Sequence, residues 1–170
     1  LQYHFQNRDG LLDAIHAQRN AEVRTLRSAL LQPYLTGKTL FLRDICLLMV
    51  MPAYTLARED IGFCYYIRGF GLRATLSLSP IQVTFENVSS ENAAFFLDHL
   101  HRLTCEIPEA LFLARLESTL RFIVLSMSHQ AGLTTGFDGI QGQRFITNLL
   151  DMMVGILSAP VSSETAKHFI

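Results

Sequence analysis

The chain has little with which to brace a fold covalently. Its three cysteines, Cys46, Cys64 and Cys105, lie far apart, form no C-x-x-C pair and leave an odd thiol. That pattern argues against a disulfide framework and fits a reducing cytoplasm. An excess of one charge is also lacking: 14 Lys+Arg face 15 Asp+Glu, for a net charge of -1. The chain as a whole therefore lacks the electrostatic footprint of a nucleic-acid-binding module. No run alternates apolar and polar residues for long enough to build a sheet. The most apolar stretch, residues 40–56, is interrupted by Arg43 and Asp44, so it falls short of the roughly 20 apolar residues of a membrane span. Neither a transmembrane helix nor a signal peptide is expected. Catalytic signatures are missing as well. There is no G-x-S-x-G elbow, the six histidines have no supporting motif, and Gly69-Phe70-Gly71 lacks the strand-turn-helix setting of a phosphate loop. An enzyme is not expected, nor is a cofactor.

What the 170 residues do contain is a 49% apolar composition, enough for one substantial core and one domain. Helical periodicity dominates, so the expected fold is all-α. Asn7 is a candidate N-cap for a helix over residues 8–31, with Leu11, Ile15, Leu26 and Leu30 near one face and Pro33 as its stop. Residues 40–58 are apolar nearly all round, which predicts burial, and Pro52 removes one backbone hydrogen bond from that helix and should bend it. Residues 60–78 read as one helix or two short ones, because Gly62, Gly69 and Gly71 each lower helix propensity by about 1 kcal/mol. Ser89 or Ser90 can cap a helix over 91–106. Pro108 suits the first turn of a long helix reaching residue 130. After a glycine-rich connector, a last strong helix over 140–158 ends before Pro160 and a polar tail.

The first fifteen residues carry the most pointed pattern. Tyr3-His4-Phe5, then the polar turn Gln6-Asn7, then Arg8 and the pair Leu11-Leu12, resemble the junction that closes the DNA-binding head of tetracycline-repressor (TetR) family regulators. In that family an aromatic-His-Phe string ends the recognition helix and a basic residue opens the next one. The resemblance implies that Tyr3, His4 and Arg8 contact operator phosphates, which would fix register without reading sequence. It also implies a helix-turn-helix ahead of a chain that starts at that helix's last turn. Residues 1–7 are thus expected to be a remnant of the DNA-binding head, and 8–170 the effector-binding and dimerisation body. The implied function is a repressor-type regulator, its operator DNA partner reached through the missing N-terminal domain.

Two long apolar helices at the end of an all-helical domain need cover. They can find it inside the protomer or by pairing with the same helices of a second copy, as a four-helix bundle about a twofold axis. The resemblance implies the homodimer, with Leu116, Leu120, Ile123, Phe145, Leu149 and Met153 as expected interface residues. A cavity beside the Pro52 bend is the expected effector site. Tyr65, Tyr66, Phe96, His99, Phe112 and Arg115 are its candidate lining, and an apolar or aromatic small molecule its candidate ligand. Arg115 and Arg121 stand on an otherwise apolar helix, where a buried arginine needs an anionic partner from Glu117, Asp98 or a ligand carboxylate. Asp98, His101 and Cys105 share a helical face at metal-ligand types, but three mixed ligands on one helix rarely close a site, and no metal is expected. The competing reading of the chain is a helical dimerisation or adaptor module that binds a protein partner and has no small-molecule cavity.

Overall fold

The computed structural model describes residues 8–76, 90–104, 106–134 and 136–169. Among them the chain forms seven helices and no strand: α1 (Arg8–Leu35), α2 (Leu42–Glu59), α3 (Ile61–Leu76), α4 (Ser90–Leu103), α5 (Glu109–Ala131), α6 (Gly139–Ser158) and α7 (Ser163–Phe169). The all-α expectation holds. Tyr3, His4, the Asn7 cap, Ser89 and Cys105 lie outside the described residues, while Arg8 opens α1 with an exposed side chain.

The apolar wrap of α2 decides the architecture. Ile45, Cys46, Leu48 and Val50 are sealed, and α2 packs against α1, α3, α4, α5 and α6. A helix that is hydrophobic on every side can be stable in water only when surrounded in this way. Its start is fixed by Asp44, whose carboxylate accepts the Phe41 N–H at 3.0 Å and the Tyr34 hydroxyl at 2.8 Å. The same side chain thus ties the end of α1 to the beginning of α2. Asp60 accepts the Gly62 N–H at 2.7 Å and so caps α3 directly after α2 ends.

Three expectations are corrected. Pro33 does not stop α1, which continues to Leu35. The stop lies at Gly37, whose φ of +110° is a left-handed conformation that a side chain would resist, and the Lys38 N–H bonds back to the Pro33 carbonyl. The buried face of α1 is wider than the Leu11, Ile15, Leu26, Leu30 line and includes polar residues: Leu30 packs half-buried against the core, Asn20, Val23, Arg27, Leu31 and Tyr34 also point inward, and Ile15 is 39% exposed. The polar tail after Pro160 contains the short helix α7, started by Ser162, whose hydroxyl accepts the Thr165 N–H.

Residues 61–76 are one helix in spite of three glycines. Gly71 is the reason it packs as it does. A Cβ there would lie 2.3 Å from the Ser128 Cβ, so glycine lets α3 approach α5 closely, and this is the most extensive helix pair in the molecule. Ser128 reinforces the contact by donating to the Arg68 carbonyl at 3.1 Å. Gly69, in the same helix, faces open space. We therefore expect Gly71→Ala to lower the unfolding free energy by about 1–3 kcal/mol through overpacking. Gly69→Ala should raise it by about 0.5–1 kcal/mol through backbone entropy. Urea denaturation of the two variants would read the opposite signs, and equal effects would mean that the close approach at Gly71 is not what holds α3 on α5.

Candidate functional site

The inward face of α1 is not apolar throughout. His16, Asn20, Val23 and Arg27 follow one another at intervals of three and four residues, and all four line a cavity of about 160 Å³. Ala53 of α2, Phe63, Tyr66, Ile67 and Phe70 of α3, and Ile123, Val124 and Met127 of α5 complete its described lining. One wall is aromatic. The His16 ring stacks on Phe70 at 4.8 Å between centroids, Phe70 stacks on Tyr66 at 5.7 Å, and Tyr66 tilts against Phe63 at 5.6 Å. Tyr66 Oη and His16 Nδ1 share a hydrogen bond of 2.7 Å. Burial pushes the Tyr66 hydroxyl up to about 12, so it stays protonated across the physiological range.

At the far end of the same face lies Arg27. Its Nε donates to the Leu48 carbonyl at 3.3 Å. That carbonyl is four residues before Pro52, so it is the oxygen that would accept the N–H proline lacks. Burial lowers the Arg27 pKa to about 10, with no acidic group among the described residues offsetting the loss of solvent. No carboxylate lies among the described lining residues. Asn20 Nδ2 is buried without a hydrogen-bond partner among the described residues. The cavity thus combines an aromatic wall with two donors that the protein leaves incompletely satisfied.

The rim is held by charge. Arg19 Nη1 contacts Glu22 at 2.9 Å and Asp60 at 2.7 Å, and its guanidinium stands 5.5 Å from the centre of the Phe63 ring. The Gly62 N–H and then Arg19 hold the Asp60 carboxyl below its ordinary value.

Of the six residues expected to line an effector site, Tyr66 lies in this cavity and the others are placed elsewhere. Tyr65 is 67% exposed, whereas Phe96 and Phe112 are sealed in the core. His99 stacks on Phe95 at 4.1 Å and bonds to the Phe95 carbonyl. Arg115 donates to the Ala159 and Pro160 carbonyls and so clamps the chain after α6. Arg121 pairs with Glu117 at 2.8 Å on the surface. The buried arginine without an acidic partner among the described residues is Arg27, on α1.

The expected interface residues are also redistributed. Leu116, Leu149 and Met153 are sealed within the single protomer. Ile123 lines the cavity, and Leu120 and Phe145 pack half-buried against the core. The face that α5 and α6 leave exposed includes Leu125 and Met152. A wider surface depression of about 450 Å³ lies nearby, between Gln130, Leu133, Gln141, Arg144, Phe145 and Asn148.

On the face carrying Asp98 and His101, Asp98 pairs with Arg102 and the His101 ring meets Phe112 edge-on. No group of three or more His, Cys, Asp or Glu that could hold a metal occurs among the described residues. Burial pushes the Cys46 thiol up to about 12 and also raises Cys64, which donates to the Ala57 carbonyl. These two thiols are held protonated rather than poised as nucleophiles. No single helix among the described residues is long and apolar enough to cross a membrane.

No protein-family model, curated protein or solved structure matches the chain.

Asp60 links the cap of α3 to the rim of the cavity, and its acidity makes the link measurable. Because its folded pKa is depressed, its contribution to stability is present above the unfolded value and is lost as pH falls through the folded one. The melting temperature of the protein should decline on acidification below about pH 4. Asp60→Ala should be less stable at neutral pH and should show a shallower acid decline. An unchanged acid profile in the variant would mean that the Gly62 and Arg19 contacts of Asp60 carry no stability.

Proposed function

We propose that the chain is the effector-binding and dimerisation body of a TetR-like transcriptional regulator. It senses a small molecule in the cavity beside α1 and passes that state to a DNA-reading head adjoining this helix. The observation that carries the reading is the cavity's position. Four of its lining residues, His16, Asn20, Val23 and Arg27, belong to α1, the helix that directly follows the Tyr3-His4-Phe5 string. An occupant therefore touches the element best placed to transmit its presence. Binding can shift a conformational equilibrium only by its differential affinity for the two states, and groups on the moving helix itself are the direct source of such a difference.

The same reading calls for two copies, because a palindromic operator is met by a twofold dimer. With Leu116, Leu149 and Met153 consumed by the protomer core, the pairing face on α5 and α6 falls to exposed residues such as Leu125 and Met152. A bundle formed there would be isologous, each helix meeting its own copy across the axis. An adaptor that binds a protein partner would have no use for a cavity lined by unsatisfied donors.

Sedimentation equilibrium should give a dimer of the 19.2 kDa chain. Leu125→Glu combined with Met152→Glu should give a folded monomer, since both side chains are exposed and neither supports the core. Hydrogen exchange along α1 should slow when a ligand fills the cavity, because binding stabilises the state it selects. A monomeric parent protein, or α1 exchange indifferent to a bound ligand, would overturn the proposal.

A further inference from the structure

The cavity's size and its two donors narrow what it can hold, on the premise that the cavity is the effector site. Ligand pockets for drug-sized molecules run to about 300–1,000 Å³. A cavity of about 160 Å³ is smaller, near the roughly 150 Å³ that accommodates one benzene-sized ring. Long acyl chains and multi-ring compounds exceed that volume. The contacting rings of His16, Phe70 and Tyr66 supply an aromatic wall for a single ring, and Val23, Ile67, Ile123 and Val124 supply aliphatic cover.

The polar groups determine the charge of the ligand. Arg27 spends its Nε on the Leu48 carbonyl, which leaves the two Nη groups as a fork of donors. No acidic side chain stands among the described lining residues to meet them. A buried cation without an anion is costly, and removing water from it strengthens whatever anion arrives. A carboxylate matches the planar guanidinium geometrically as well as electrostatically. Long side chains on a helix lean toward its N-terminus, so Arg27 reaches back along α1 in the direction of Val23 and Asn20. Asn20 Nδ2, buried and without a partner, offers a further donor on the same face.

We infer that the cavity binds a single-ring aromatic carboxylate. Its carboxylate pairs with the Arg27 guanidinium, its ring lies against Phe70 and Tyr66, and Asn20 Nδ2 donates to a ligand oxygen. Arg27 is the specificity-determining residue, because it distinguishes the acid from a neutral compound of the same shape.

Titration calorimetry and thermal shift with benzoate and its neutral isostere benzamide test this on the unaltered protein. Benzoate should bind at least about tenfold more tightly than benzamide and should raise the melting temperature more. Arg27→Gln should bring the two probes to similar, weak affinity. Ala53→Leu, which fills the cavity from α2, should remove binding of both. If benzamide binds as well as benzoate and Ala53→Leu abolishes both, the carboxylate inference fails while the sensor reading survives. If neither probe binds at millimolar concentration, the carboxylate inference is overturned. If α1 exchange is also indifferent to every cavity ligand, the sensor reading fails with it. Should Arg27→Gln not fold, the ratio of the two probes on the unaltered protein decides the question alone.

Discussion

One backbone oxygen organises the site. Pro52 has no N–H, so the Leu48 carbonyl inside the central helix loses its intrahelical partner. A buried carbonyl left bare is destabilising, and some donor must reach it from outside the helix. Arg27 provides that donor. The bond pins the first long helix to the central one and draws a guanidinium into the protein, where it would not otherwise lie. Pro52 thereby places a positive charge beside an aromatic wall with no acidic side chain among the described lining residues to balance it.

The arrangement gives the two ends of the first helix different duties. Toward its C-terminal end it is anchored: Leu31 is sealed in the core and Tyr34 reaches Asp44. Further toward the N-terminus its inward residues face the cavity and its ion-paired rim rather than continuous core. Local stability follows buried apolar contact, so the part of the helix nearest the N-terminal string depends most on whatever fills the cavity.

Much of the fold could be read from the sequence because its signals are strong and local. The all-round apolarity of residues 40–58 points to a central helix, observed over Leu42–Glu59, and Pro108 stands immediately before the start of the long fifth helix, whose apolar period calls for cover without saying whether the protomer or a second copy supplies it. The misreadings have equally local causes. Pro33 looked like a terminator, yet it lies close enough to the helix end that the chain continues to Leu35 and turns at Gly37. The leucines and isoleucine of the first helix define its face by apolar period alone. The true inward face includes Asn20 and Arg27, polar residues that a search for apolar periodicity discards. The spacing of Asn20, Val23, Arg27 and Leu31 marks that face, but its polar members make sense only beside the Leu48 carbonyl that Pro52 leaves without a donor.

Arg115 and Arg27 show why residue type alone could not locate the site. Both are arginines on helices with a buried face, and both raise the question of what balances the charge. Arg115 lies where the chain leaves the sixth helix, so the free carbonyls of Ala159 and Pro160 satisfy it at a partly exposed edge. Arg27 meets one carbonyl, at a site dry enough to lower its pKa to about 10. A desolvated guanidinium that remains charged with no anion nearby favours any anion that can reach it. Among the described residues that line this cavity, none is acidic. An anion that reaches Arg27 meets a site whose volume and aromatic wall limit its shape.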